Sequence, residues 1–273
     1  MAISIKSLAL IPLFLFFYSC SGIDYHDHVF IDATSADCTC ILEQVLHDTK
    51  EKLGIKNDND RTLNGHTLRV VQINDSDRYG GKVLEASLPV IKNSSQMYPT
   101  ERLLEQNKYL EEAIPRMITA ACTPPRESMD STFLYSPLFE NLRELSQSEA
   151  EVKSATIYSD AIPNDGKVSM YSVPIRQNPT LLLAKKDSFI RLIDFHYSPP
   201  RDLRNITVIL RHKPVTRDQD FHHYARIIMD TIMTRRGADF HIEVMVECDF
   251  EEPPLSEEQP ELDPRITENP LKI

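Results

Sequence analysis

Residues 206–246 decide the fold class of this chain. They begin with the apolar run Ile206-Thr-Val-Ile-Leu210, continue through a long amphipathic stretch that Gly237 ends, and finish with the alternating pattern Phe240-His-Ile-Glu-Val-Met-Val246. A continuous apolar run is typical of a strand buried on both faces of a sheet. The amphipathic stretch begins at a capping-box pattern and predicts a helix. A strand, a helix and a second strand in this order favour parallel pairing.

The same alternation extends towards the amino terminus. After a short strand over residues 26–32, Asp37 and Gly54 mark the beginning and the end of a helix. Strands over 68–73 and 82–88 are joined by a connector too short for a crossover helix, so this pair should be antiparallel. Further helices are predicted over 100–122, 137–145 and 180–195, with a strand over 154–159 between the last two. The order predicts an α/β fold with a mostly parallel sheet, one antiparallel edge strand and helices on both faces.

The amino-terminal residues predict export. Lys6 precedes an almost unbroken apolar run from Leu8 to Tyr18, which has the length of a signal-peptide core and is too short for a comfortable membrane span. Phe17-Tyr-Ser-Cys20 follows and resembles a bacterial lipobox, with phenylalanine in place of the commoner leucine. We therefore predict a lipoprotein signal peptide over residues 1–19 and lipidation of Cys20. An ordinary secretory signal is the alternative.

The rest of the chain divides into three predicted segments. Residues 20–27 form a lipid-anchored linker, residues 28–248 the folded domain, and residues 249–273 an acidic tail too poor in apolar residues to order itself. The formal net charge of −11 argues against a nucleic-acid partner. The anchor at Cys20 predicts contact with a membrane and a location in the bacterial cell envelope, at the outer membrane.

The cysteines and the catalytic motifs give only weak indications of function. Cys38, Cys40, Cys122 and Cys248 permit disulfides without demanding them, and buried free thiols are the favoured interpretation. A thiol at Cys38, near a helix start, is a weaker candidate nucleophile. The chain contains no Gly-x-Ser-x-Gly elbow and no phosphate-binding glycine loop, so we predict that it is not an enzyme.

Three polar segments carry the candidate binding chemistry. Asp32-Ala-Thr34-Ser-Ala36 follows the first strand, Asp130-Ser-Thr132 precedes a helix, and Ser159-Asp160 follows the fourth strand. Open sheets of this class bind ligands outside the carboxyl ends of their strands. Together the segments resemble the von Willebrand factor type A domain, whose adhesion site uses Asp-x-Ser-x-Ser, a distant threonine and a distant aspartate.

That resemblance covers residues 24–246 and implies a three-layer, Rossmann-like fold. It also implies a site for Mg²⁺ or another divalent cation, because such ions prefer oxygen ligands. The implied metal ligands are Asp32, Thr34, Thr132 and Asp160. One coordination position would stay open for a carboxylate of a protein partner at the carboxyl edge of the sheet. Ala36 stands where the family has a second hydroxyl, so the site is partly degenerate.

Two other functions stay open from the sequence. The protein could be a metal-independent structural or assembly component of a cell-envelope complex, which would use its helical faces or its acidic tail. It could also be a thiol-dependent or metal-dependent hydrolase, although no acid–base pair in the sequence favours this.

Overall fold

A six-stranded sheet organises the chain. The computed structural model describes residues 21–33, 37–73, 82–93, 98–123, 133–164, 167–214 and 218–245. The strands lie in the order β3-β2-β1-β4-β5-β6. β3 is antiparallel to β2, and the other four pairings are parallel, as the sequence predicted. The strands span Asp24–Asp32 (β1), Gly65–Ile73 (β2), Val83–Leu88 (β3), Val152–Tyr158 (β4), Ile206–His212 (β5) and Asp239–Val244 (β6).

Helices cover both faces of this sheet, which confirms the predicted α/β class with three layers. β1 shows how the faces divide, since Val29 and Ile31 pack into one core and Phe30 packs into the other. The helices span Cys38–Leu53 (α1), Pro99–Asn107 (α2), Ile114–Cys122 (α3), Tyr135–Gln147 (α4), Val173–Gln177 (α5), Thr180–Ala184 (α6), Lys186–Tyr197 (α7) and Gln219–Thr234 (α8). Among the described residues, no helix is both long enough and apolar enough to cross a membrane.

The caps predicted for α1 are confirmed. Asp37 has an extended backbone, and its side chain accepts a hydrogen bond from the backbone N–H of Cys40 at 3.4 Å. Gly54 adopts the left-handed conformation with φ 72°, and its N–H donates to the carbonyl of Glu51. These caps fix where α1 begins, six residues after the end of β1.

The predicted helix over 100–122 contains a π-helical segment, Lys108–Ala113, between α2 and α3. At its end the N–H of Ile114 donates to the carbonyl of Tyr109, five residues earlier. Pro115 follows at once and has no N–H to donate, so a regular α-helical ladder could not continue there. The wider π-helical turn accommodates the proline.

β1 begins earlier than the sequence indicated. It starts at Asp24, so residues 24–27, which were assigned to the linker, belong to the sheet. The pairing of β1 with β2 extends to Asp24, and its pairing with β4 extends to Tyr25. His26 and His28 both lie in this strand. His28 is fully buried, and this burial lowers its pKa to about 3.

The cysteines differ from the favoured interpretation at one position. Cys40 is disulfide-bonded, whereas Cys38 and Cys122 are free thiols. The partner of Cys40 is therefore a cysteine outside the described residues. The predicted signal peptide and the acidic tail also lie outside them.

Candidate functional site

The candidate site lies where the strand order reverses. β1 and β4 are adjacent and parallel, with Ile31 opposite Tyr158, yet their crossovers run to opposite sides of the sheet. Asp32 ends β1, and Ser159 and Asp160 follow β4 directly. Their positions are thus at the carboxyl edge of the sheet, at the point where open α/β folds bind ligands.

A direct hydrogen bond joins the two strand ends. The hydroxyl of Ser159 donates to Oδ2 of Asp32 at 3.3 Å. The Asp32 residue is only 2% exposed, because the sheet and its neighbouring loops enclose it. The same hydroxyl of Ser159 accepts the backbone N–H of Ala161 at 3.2 Å. Ser159 therefore holds the Asp32 carboxylate against the turn that leaves β4.

Asp160 is held by its own turn. Its Oδ1 accepts the backbone N–H of Ile162 at 2.9 Å, and its Oδ2 accepts the hydroxyl of Tyr171 at 3.2 Å. Ala161 between them has φ 64°, in the left-handed region that residues with a Cβ seldom adopt. Ala161 keeps this conformation at some cost in strain.

The two carboxylates affect each other. Burial and, to a smaller extent, the negative charge of Asp32 raise the pKa of Asp160 to about 6, against the hydrogen bonds that Asp160 accepts. Burial also raises the pKa of Tyr171 well above its usual range, with contributions from Asp160 and Asp32. Arg226 of α8 is near enough for Asp160 to raise its pKa, although burial lowers that pKa overall. The edge is therefore a buried region of excess negative charge.

Only part of the predicted ligand set can be placed. Asp32 and Asp160 lie at adjacent strand ends, whereas Thr34 and Thr132 lie outside the described residues. Within the described part of the chain, no three His, Cys, Asp or Glu side chains are grouped so that they could hold a metal ion. Asp32, Asp160 and the Ser159 hydroxyl supply hard oxygen donors of the kind that Mg²⁺ accepts. The role of all four predicted residues as ligands stays a prediction.

Two contributors to this edge could not be assigned from the sequence. Ser159 was part of the polar segment, but nothing indicated that its hydroxyl would reach Asp32. Tyr171 lies in a stretch with loop signals, and its contact with Asp160 depends on how that stretch folds back. No local pattern in the sequence signals such a contact.

A second polar cluster, which we call the Asp27 network, lies towards the other end of β1. The Asp27 carboxylate accepts from Lys52 Nζ at 2.5 Å, from the Ser154 hydroxyl at 2.5 Å, and pairs with His66 Nε2 at 2.7 Å. His66 Nδ1 lies 2.6 Å from the hydroxyl of Tyr109. His66 is fully buried, and the positive charge of Lys52, together with the hydrogen bonds from His66 and Lys52, holds the pKa of Asp27 well below its usual range despite its burial. This network joins β1, β2, β4 and two helical segments.

Comparisons with known proteins concern the fold alone. No family model matches the sequence, and no curated protein matches it. Among solved structures, the chain is similar to a human COPII-coat protein, with 6% identity and a TM-score of 0.39 over 83% of this chain and 30% of that chain. It is similar to the pilus adhesin SpaC from Lactobacillus rhamnosus GG, with 12% identity and a TM-score of 0.39 over 83% of this chain and 28% of that one.

A third similar structure is the PilB minor pilin from Streptococcus sanguinis. The identity is 8% and the TM-score 0.34, over 82% of this chain and 57% of that one. The chain thus spans less than two thirds of each of these three proteins.

Proposed function

We propose that this protein is a non-enzymatic, membrane-anchored binding module that engages another protein at the carboxyl edge of its sheet, in the manner of a von Willebrand factor type A-like domain. The observation that carries the proposal is the pairing of Asp32 and Asp160 at adjacent strand ends, joined through Ser159. Two carboxylates at the point where the strand order reverses form a site that a cationic ligand would complete.

A divalent cation is the ligand that fits this edge. Burial, with a smaller contribution from the charge of Asp32, raises the pKa of Asp160, and a bound cation would favour the ionised carboxylate. Asp32, Asp160 and Ser159 would hold the ion, together with Thr34 and Thr132 as the sequence predicts. When bound, the ion would offer an open position to a carboxylate of the partner protein.

The position of the amino terminus supports this orientation. β1 consists of nine residues, from Asp24 to Asp32, and rises about 30 Å. A lipid on Cys20 would therefore hold the amino edge of the sheet near the membrane. The edge that carries Asp32 would face away from the membrane and would be free to meet a partner.

Calorimetry on the full chain tests the metal site. We expect Mg²⁺ and Mn²⁺ to bind the wild-type protein and expect binding to be lost in Asp32→Ala. Asp24→Ala is the matched control, because it removes a carboxylate from the same strand at the opposite edge of the sheet. Equal binding by the wild type and Asp32→Ala, or no binding at all, would remove the metal from the proposal.

One observation favours the metal-independent alternative. Both oxygens of Asp160 already accept hydrogen bonds from the protein, from the Ile162 N–H and from the Tyr171 hydroxyl. The edge could therefore bind a partner without an ion, as a structural or assembly component would. Affinity capture of partners with and without a chelator separates the two functions. A partner retained in chelator supports assembly without metal, and a partner released by chelator supports the cation.

A further inference from the structure

Two free thiols meet at the border of α1 and α3. Cys38 is the first residue of α1, and Cys122 is the last residue of α3. The two helices pack against each other, and Cys38 contacts the apolar cluster that contains Cys122. Cys38 is also near enough to the Cys122 thiol to contribute to the raised pKa of that thiol. The two cysteines are 84 positions apart in the sequence, so it is the packing of α1 against α3 that brings them near each other.

The two thiols differ in access to solvent. Cys122 is buried, and its burial together with its contact with Cys38 raises the pKa of its thiol well above the usual range. Cys38 is half-buried at the beginning of its helix and can be reached from solvent. A reagent in solution would therefore react first at Cys38. Cys122 would remain an unreacted thiol, because it is buried.

A disulfide-bonded cysteine lies close to Cys38 in the same helix. Cys40, two residues after Cys38, is already disulfide-bonded. Disulfides form and persist in oxidising compartments, and the same surroundings act on the neighbouring thiols. Cys38 thus lies less than one helical turn from a disulfide-bonded cysteine.

We propose that Cys38 and Cys122 form a redox-active dithiol, which closes to a second disulfide by exchange with a small-molecule disulfide such as oxidised glutathione. The sulfur of Cys38 attacks the small disulfide, forms a mixed disulfide and releases one small thiol. The sulfur of Cys122 then attacks Cys38, which releases the second small thiol and leaves the Cys38–Cys122 bond. The two protons of the protein thiols end on the two released small thiols, and the small disulfide is the oxidant.

Closing this bond would tie the beginning of α1 to the end of α3. Asp37, which caps α1, ends the loop that leaves β1 after Asp32. The bond would restrict the carboxyl end of that loop. This consequence concerns the candidate site, but the proposal itself does not depend on the proposed function.

Exchange with oxidised glutathione, followed by acid quenching, mass spectrometry and peptide mapping, tests the pair in the full chain. We expect the wild type to lose two hydrogens and to yield a peptide that links Cys38 to Cys122. In Cys122→Ser and Cys122→Ala the second step cannot occur, so most molecules should carry glutathione on Cys38. Cys38→Ser should yield neither product, because Cys122 is buried.

Other outcomes would overturn the proposal. If the wild type accumulates the glutathione adduct on Cys38 to the same extent as Cys122→Ala, the thiols do not meet. A linkage of Cys38 to any cysteine other than Cys122 would have the same meaning. Circular dichroism of each variant shows whether it is folded. Because Cys122 is replaced both by serine and by alanine, a packing defect caused by one of these side chains can be recognised.

Discussion

Replacement of Asp27 by asparagine should strongly destabilise the fold. The Asp27 side chain is 8% exposed, and three groups converge on it, from Lys52, His66 and Ser154. In Asp27→Asn the remaining oxygen can still accept from Ser154. The new amide group is a donor and would face Lys52 Nζ, another donor, where the carboxylate had accepted.

The size of the loss in stability depends on how far His66 and Lys52 can rearrange after the substitution. His66 can change its tautomer, because the hydroxyl of Tyr109 can either donate or accept. The Lys52 side chain is 26% exposed and can turn partly towards water. Breaking a buried ion pair costs about 3–5 kcal/mol of stability. Because His66 and Lys52 can both adjust, we expect Asp27→Asn to lower the free energy of unfolding by about 3 kcal/mol, the low end of that range. This is a large share of the roughly 5–15 kcal/mol that holds a domain folded.

Urea denaturation measures this change. At about 1–3 kcal/mol per molar urea, the midpoint of Asp27→Asn should fall by about 1 M or more. Asp24→Asn is the control on the same strand, and it should change stability by less than about 0.5 kcal/mol. A wild-type midpoint for Asp27→Asn at neutral pH would refute the account of this network.

The pH dependence gives an independent check of the same network. The pKa of Asp27 lies well below its ordinary value of 3.8 in the folded protein, so its contribution is fully present above that value. The contribution is lost as the pH falls below 3.8 towards the folded pKa. The difference in stability between the wild type and Asp27→Asn should therefore narrow in acid. A constant difference would mean that the charge of Asp27 is not its source.

Three further predictions concern other parts of the fold. Asp160→Asn should stabilise the metal-free protein at neutral pH by about 1–2 kcal/mol, because a carboxyl whose pKa is raised from 3.8 to about 6 loses stability as the pH rises through that interval, and the full loss remains above it; urea denaturation measures the gain. Gly65→Ala should destabilise by about 1–3 kcal/mol in the same assay, since a Cβ there would lie 2.6 Å from the backbone nitrogen of Val90. Peptide mapping without reduction should link Cys40 to Cys248.

Each of these predictions has its own control. The gain in Asp160→Asn should vanish below pH 3.8, where the carboxyl is protonated whether folded or not, and a gain that persists there would have another cause. Gly54→Ala, with φ 72° and open space around it, should cost only about 1 kcal/mol. Met245 shares a buried cluster with Cys40, and the three following residues can span about 10 Å to reach it. A link from Cys40 to Cys20 would contradict this and would exclude a lipid on Cys20.

Much of the architecture could be predicted because its signals are local. Asp37 and Gly54 delimit α1, and the short connector after residue 73 makes β3 antiparallel to β2. The alternation of strands and helices then fixes the parallel order of the other strands. The placement of Asp32 and Asp160 at one edge follows from that order.

The Asp27 network could not be predicted, because it depends on register. Asp27 reads as a polar residue before an apolar strand, which favours a linker. Its burial is possible only because His66 lies on β2 and Ser154 on β4, on either side of it. Neither spacing is visible in the sequence. The free pair of Cys38 and Cys122 was hidden for the same reason, since a packed helix interface creates it.

The central position of β1 has a consequence for how the chain matures. β1 is the first strand to be synthesised, yet one of its two neighbours, β4, is complete only when Tyr158 has emerged. Asp27 and the Ser154 hydroxyl that it binds are separated by 127 residues. Before β4 has been made, the Asp27 carboxylate lacks the Ser154 donor, and one edge of β1 has no neighbouring strand. Such long-range pairing slows folding. The nascent chain should therefore stay unfolded and competent for handling by chaperones until more than half of it has been made.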